Sequence, residues 1–141
     1  MKKIVLLSCT KKKKNYSCTA REMYSSSEIF TTAFKYAKLI SNDIYILSSK
    51  YGLLSCDDIV EPYDECINDI TLAERKEWAR GIIDNLTQCS NLQEDSFEII
   101  TGKAYYEDLI DSLAHYSIPL KGKGISQWIP SLNILIIRRM V

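Results

Sequence analysis

Lysines set beside small hydroxyl residues or glycine recur at four places in this 141-residue chain, each just after an apolar run. They are Ser8-Cys9-Thr10-Lys11, Ser48-Ser49-Lys50-Tyr51-Gly52, Thr101-Gly102-Lys103-Ala104-Tyr105 and Lys121-Gly122-Lys123-Gly124. Glycine lets backbone N–H groups come close to a ligand and lysine supplies a point charge, a pairing that suits phosphate. Taken singly, such a lysine is an ordinary solvated residue; four at one edge of a sheet point to an anion site. None of the loops is a P-loop, and no G-x-G-x-x-G occurs.

The candidate binding groups are therefore Ser8, Lys11, Lys13, Ser49, Lys50, Tyr51, Gly52, Tyr63, Gly102, Lys103 and Tyr105. Tyr51, Tyr63 and Tyr105 offer ring faces on which a base could stack, although with nine tyrosines in the chain most are structural. Three residues are candidates for catalysis. Cys9 could be a nucleophile, since neighbouring lysines favour a thiolate, but no histidine is placed to serve as its base. Lys50 could clamp a phosphate, act as an electrophile or form a Schiff base; the amine roles need strong desolvation. Asp64, with Asp57 behind it, is the loop carboxylate best placed for general acid–base work. The single histidine, His115, falls late in an expected helix and is not a site residue. The run Lys11–Lys14 is either a solvated loop or an electrostatic guide for a polyanion.

The elements that must position these groups follow from periodicity. Residues 3–8 and 44–48 read as buried strands, the second breaking at Ser48-Ser49-Lys50-Tyr51 where Gly52 eases the bend. Residues 10–24 carry no apolar period and read as loop. Ser25-Ser26-Ser27-Glu28 has the form of a capping box, before a helix with Ile29, Phe30, Ala33, Phe34, Ala37 and Ile40 on its inner face. Residues 53–68 read as irregular, with Pro62-Tyr63-Asp64 a turn. Thr71-Leu72-Ala73-Glu74 is a second capping box, with Ala73, Trp78, Ile82, Ile83 and Leu86 inward in the helix that follows. A third strand is expected over 97–101, a helix over 104–116 and a short fourth strand over 118–120. Residues 126–140 fit a helix, although 133–137 also read as a strand; helix is the expectation. This βαβαβαβα order calls for a three-layer α/β/α sandwich with a short, mainly parallel sheet of about four strands, in one domain over 1–141.

The composition, 46% hydrophobic and 26% charged, is that of an ordinary globular protein. The opening Met1-Lys2-Lys3 leads into only four apolar residues, so no leader is expected. No window approaches a membrane span, and the expected location is the cytoplasm. Five cysteines without short paired spacing read as reduced thiols rather than zinc ligands, and no metal or cofactor is expected. The net charge is zero but uneven: +7 over residues 1–50, −11 over 51–120 and +4 thereafter. Basic ends around an acidic middle suggest a local anion site.

The ordered set Ser8-Cys9-x-Lys11-x-Lys13, Ala20-x-x-x-Tyr24, Leu47-Ser48-x-Lys50-Tyr51-Gly52-Leu53-Leu54, Pro62-Tyr63-Asp64 and Gly102-Lys103-x-Tyr105 resembles a small bacterial and phage family of unknown function, over nearly the whole chain. The Tyr-Gly-Leu-Leu and Pro-Tyr elements are similar, more distantly, to YaaA-type peroxide-stress proteins. The region of Cys9 to Tyr16 faintly resembles archaeosine synthases, which act on a modified base in tRNA, but Lys14-Asn15-Tyr16 stands where those have Lys-Pro-Tyr. The resemblance implies an α/β fold and dealings with a nucleobase or nucleic acid. The expected function is a nucleotide- or nucleobase-processing enzyme that cleaves or exchanges a glycosidic bond. Lys11, Lys50 and Lys103 would hold phosphate, a tyrosine would stack, and Asp64 would handle a proton. The alternatives are a non-catalytic nucleotide-binding module, such as a sensor or sequestering protein, and an interaction domain whose partner meets the acidic 57–77 segment.

Overall fold

The computed structural model describes residues 1–140. In chain order its elements are β1 (Lys3–Ser8), β2 (Cys18–Thr19), α1 (Ala20–Met23), α2 (Glu28–Ile40), β3 (Asp43–Ser48), β4 (Gly52–Ser55) and β5 (Ile59–Val60). Then come α3 (Leu72–Cys89), β6 (Ser96–Ile100), α4 (Lys103–Tyr106), β7 (His115–Ser117) and α5 (Trp128–Met140). The main sheet has the order β4-β3-β1-β6-β7, parallel throughout except for β4, and β2 pairs antiparallel with β5 in a separate ribbon.

β1 sits at the centre because it is apolar on both faces. Val5 and Leu7 pack towards α2 and α5, Ile4 and Leu6 towards α3 and α4, and all four are buried. A strand covered on both sides needs this unbroken apolar run, where a half-exposed one would alternate. Each such residue contributes about 1.5–3 kcal/mol of burial free energy. β3 and β6 repeat the division, with Ile44 and Ile46 on the α2 side and Phe97 and Ile99 on the α3 side. The result is a three-layer α/β sandwich around a mainly parallel sheet.

α3 starts as its capping box requires: Thr71 Oγ1 accepts from Glu74 N at 3.1 Å and the Glu74 carboxylate accepts from Thr71 N at 3.0 Å. Its inner face holds Ile82 and Leu86, but the third fully inward residue is Ala79, whereas Ala73 is exposed on the first turn. For α2 the cap is displaced. Ser27, not Ser25, accepts from the helix (Phe30 N, 3.3 Å), and Ser25 instead donates to Glu22 O at the end of α1. A short helix immediately upstream uses Ser25 and leaves Ser27 the extended backbone that a cap needs.

Tertiary pairing accounts for the other departures from the periodicity. Residues 10–24 are not all loop, because Cys18 and Thr19 find partners in Val60 and Ile59 and Thr19 then caps α1. Residues 53–68 are not all irregular. Gly52, at φ +75°, reverses the chain so that Leu54 lies opposite Ile46, forming a hairpin and a fifth strand. The helix expected over 104–116 stops after one turn, and Leu109 and Leu113 reach the core through a 3-10 turn at Ile110–Ser112. His115 therefore belongs to a strand rather than a helix, and the last strand is His115–Ser117 instead of 118–120. The hydrogen bonds that β6 offers along its free edge outweigh helical propensity there. α5 forms as expected, with Leu132 and Ile136 buried.

A Cβ at Gly52 would meet nothing closer than Ile82 Cγ1 at 4.0 Å, so space is not the constraint at this turn; the positive φ is. Gly52→Ala is expected to lose about 1–2 kcal/mol in urea unfolding. A wild-type midpoint would show that the turn has no need of glycine.

Candidate functional site

The crossovers decide where a ligand can enter. β1 continues through α2 to β3 on one side of it, whereas β6 continues through α4 to β7 on the other. The loops leaving β1 and β6 therefore diverge, and the crevice between them is the usual ligand position of an open parallel sheet. Cys9 follows β1, Gly102 follows β6, and Tyr105 on α4 closes the gap: its hydroxyl is 3.2 Å from Cys9 Sγ.

Next to this crevice, polar side chains are buried at the end of β3. Ser48 is fully buried, and its Oγ accepts from Lys50 N at 3.2 Å and Tyr51 N at 3.0 Å. Both lone pairs are then used, so Ser48 donates its proton to Tyr63 OH at 2.7 Å, and Tyr63 in turn donates to Tyr24 OH at 2.6 Å. The Ser48 carbonyl accepts from Trp78 Nε1 at 2.8 Å. Ser49 donates to Glu65 O at 2.8 Å and lies 3.9 Å from Cys9 Sγ. One strand end thus holds α1, α3 and the 61–66 loop together.

Burial, with the nearby Cys9 and Tyr24, pushes the Tyr63 phenol far above its ordinary value. Burial also pushes Tyr24 up to about 12. Tyr105 is raised by burial first and then by the Cys9 sulfur that its hydroxyl faces. All three phenols are thus neutral hydrogen-bonding groups at ordinary pH.

Two clefts open on the Cys9–Tyr105 contact. One, of about 270 Å3, is lined by Cys9, Thr10, Lys11, Lys13, Asp64, Glu65, Cys66, Asp69 and Tyr105. The other, of about 380 Å3, has Ser8, Lys12, Gly102, Ile29, Ile125 and Trp128 among its walls, and shares Cys9, Thr10, Lys11 and Tyr105 with the first. A third, of about 570 Å3, lies beside them and includes Ser49, Lys50, Glu65, Glu74, Glu77 and Trp78.

Of the residues singled out from the sequence, the structure brings Cys9, Lys11, Lys13, Asp64 and Tyr105 to one cleft, and Ser8 and Gly102 to the cleft adjoining it. Ser49 and Lys50 border the third. Lys103, the first residue of α4, is exposed and lines none of these clefts. Tyr63 is buried under Lys13, whose Nζ stands 4.5 Å from the ring centroid, and the ring meets Tyr51 edge-on at 5.5 Å. Tyr51 itself is bonded through its hydroxyl to the backbone of Glu61, so this pair buttresses the loop. Asp57 pairs with Arg21 at 2.7 Å, away from the clefts. His115 lies opposite Ser96 at the start of β6, the far end of the sheet.

Four site elements carried little sequence signal. Ser48 and Tyr24 stand in the ordered motifs, but neither residue type nor spacing signals the hydroxyl chain that joins them through Tyr63. Glu65 and Asp69 merge into an acidic stretch. Trp128 reads as the inner face of a helix. The cysteines are all free thiols, Cys66 exposed and Cys9, Cys18 and Cys56 buried. Burial raises the thiols of Cys18 and Cys56. Among the described residues no cluster of three or more candidate ligands could hold a metal, and no helix is long and apolar enough to cross a membrane.

These features define a mainly parallel α/β protein with a polar, strand-end cleft built of thiol, phenol, amine and carboxylate groups. The chain belongs to the family of unknown function DUF6884, whose model matches residues 4–134. No curated protein matches it.

Tyr63→Phe removes the middle of the hydroxyl chain and leaves the buried Ser48 and Tyr24 hydroxyls short of a partner. The expected loss is about 1–3 kcal/mol in urea unfolding. Alkaline titration should reveal the same network. The ordinary tyrosine value is 10.0, and Tyr24 is pushed up to about 12, so the unfolded chain loses that proton first. Stability is complete below pH 10 and falls between 10 and 12. Phenolate absorbance should show a subset of tyrosines that ionise only as the fold opens; nine tyrosines titrating together in the folded protein would contradict the network.

Proposed function

We propose that the chain binds a nucleotide in the cleft between the ends of β1 and β6 and processes its base, by cleavage or exchange at the glycosidic bond. One observation carries the reading: Lys11, Lys13 and Asp64 converge on a single cleft with Cys9 and Tyr105. Lys11 and Lys13 supply positive charge for a phosphate. Asp64, exposed in the cleft, supplies a carboxylate that can give or take a proton, or face the positive charge that develops on a sugar as its glycosidic bond breaks. Glu65 and Asp69 set two further carboxylates against the lysines. That mixture suits a ligand with a single phosphate and several hydroxyl or amine donors better than a densely charged polymer. The choice of a nucleobase rests on a faint sequence resemblance at Cys9 to Tyr16, where Lys14-Asn15-Tyr16 replaces the Lys-Pro-Tyr of proteins that act on a modified base.

In this reading Lys11 and Lys13 hold the phosphate, and Tyr105, rather than Tyr51 or Tyr63, presents a ring to the ligand. Lys50, beyond Ser49, serves the neighbouring cleft, and Lys103 has no part in binding. A second reading, a non-catalytic nucleotide-binding module, is favoured by the state of Cys9. Its side chain is only 7% exposed and its sulfur is held between Tyr105 and Ser49, so it binds within the wall rather than attacking a substrate.

Thermal unfolding across free bases, nucleosides, mono- and cyclic nucleotides, single-stranded DNA and tRNA tests both. A ligand at 100 times its Kd should stabilise the chain by about 2.7 kcal/mol. Lys13→Ala is expected to abolish the shift. Asp64→Asn should keep the shift and lose turnover by at least about 100-fold, in line with the usual worth of a general acid or base. Ligand recovered chemically intact from the wild type would favour the binding module. No shift with any of these compounds would remove both readings and direct attention to a partner for the acidic 57–77 segment.

A further inference from the structure

We propose that the second cleft, of about 380 Å3, holds the planar base of the nucleotide, and that Trp128 and Ile125 are the side chains that recognise it. The inference rests on the nucleotide reading above and assigns the two ends of the ligand to two different walls.

The two clefts are halves of one trough. Cys9, Thr10, Lys11 and Tyr105 line both, and the Cys9–Tyr105 contact at 3.2 Å marks the line between them. Their chemistry divides at that line. On one side stand Lys13, Asp64, Glu65 and Asp69; on the other Ile29, Ile125 and Trp128 supply the large side chains, with Ser8, Lys12 and Ser27 beside them. A ligand that spans the trough must be polar at one end and apolar at the other. Lys11 at the junction and Lys12 on the wall of the second cleft add positive charge, so the ligand carries an anionic group at or near its middle. A nucleotide has this distribution: a flat ring system, a sugar and a phosphate. An acyl chain would fill the apolar half but leave the three carboxylates and Lys13 without partners. The volume falls within the roughly 300–1,000 Å3 of small-ligand sites.

The apolar half is built to present a ring face. Trp128 has one hydrogen-bond donor, and it is committed to Lys123 O at 3.3 Å, which fixes the indole against the Lys121–Gly124 turn. The ring edge is thereby satisfied within the chain, and the half-buried indole packs against the core while lining the cleft, where a ring could stack on it. Ile125 is 66% exposed at the rim. A large aliphatic side chain left in water beside a half-buried tryptophan, in a concave site, is a surface that a ring would cover. Recognition by stacking is tolerant of base identity, because every base has a π face.

The chain has two tryptophans, and each borders a different cleft: Trp78 stands near Lys50 and Trp128 in the proposed base site. Trp78→Phe leaves Trp128 as the sole indole, and Trp128→Phe leaves Trp78. AMP, GMP, CMP and UMP are titrated in turn into both variants by fluorescence. The same four, with ribose 5-phosphate, are titrated into wild type and Ile125→Asp by calorimetry. Ile125 is exposed enough for the aspartate to leave the fold intact. The expected result is quenching of Trp128 but not Trp78, and at least a tenfold loss of nucleotide affinity in Ile125→Asp with ribose 5-phosphate unchanged. Nucleotide binding that Ile125→Asp does not weaken, or that quenches only Trp78, overturns the base site while leaving the nucleotide reading in place. No binding of any of the four to the wild type overturns both.

Discussion

A buried hydroxyl at the end of a buried strand is the constraint on which this site depends. Ser48 has no access to water, so every one of its hydrogen bonds must be found inside the protein. It finds them by holding the Lys50–Tyr51 turn, Tyr63 from the following loop and, through its carbonyl, Trp78 from α3. Tyr63 passes the connection on to Tyr24 beside α1. The geometry is over-determined, because moving any one partner strands another polar group in the core. Asp64 and Glu65 follow directly on Tyr63 and inherit its position, which is why an exposed loop carboxylate is held opposite Lys11 and Lys13.

The sheet supplies the other half of the arrangement. With β1 buried on both faces, polar groups can gather only beyond its ends, and the diverging crossovers leave room at one of them. Among the described residues the two buried carboxylates, Asp95 and Glu98, both have partners; Asp95 accepts from Lys2 N at 2.7 Å and Asn91 N at 2.8 Å. Glu98 on β6 accepts a hydrogen bond from Tyr36 of α2 and pairs with Lys3 at 3.4 Å. Arg75 on α3 reaches Asp108 at 3.3 Å and Glu107 at 3.5 Å, tying the start of that helix to the segment after α4. The Arg75 pairs link the start of α3 to the residues that follow α4, and Tyr105 on α4 also meets Trp78 of α3 edge-on at 5.9 Å.

Charge balance shapes what the cleft can accept. The uneven distribution along the chain, basic at the start and acidic in the middle, becomes a juxtaposition in space, since the Lys11–Lys13 loop and the 64–69 loop face each other across one opening. The lysines attract an anion, and the carboxylates limit how much negative charge can settle there and offer acceptors for hydroxyl and amine protons. A site of this kind discriminates by pattern rather than by net attraction. The neighbouring apolar cleft adds the area that a polar site alone lacks.

Much of this was present in the one-dimensional pattern. The apolar runs at Ile4–Leu7 and Ile44–Leu47, the capping box at Thr71 and the helical spacing of Leu132 and Ile136 specify local structure, because each depends on neighbours within a few residues. With the alternation of strands and helices they determined a mainly parallel α/β sandwich and placed Cys9, Lys11 and Gly102 at strand ends. Tertiary structure alone decided the rest. Cys18–Thr19 and Ile59–Val60 are too short to stand without each other, and His115–Ser117 is a strand only because β6 has a free edge. The burial of Tyr63, the absence of Lys103 from the clefts and the meeting of Cys9 with Tyr105 across 96 residues depend on where distant segments dock. Local pattern carries propensity and burial; the pairing of side chains far apart in sequence is set by packing, which no short stretch of the chain contains.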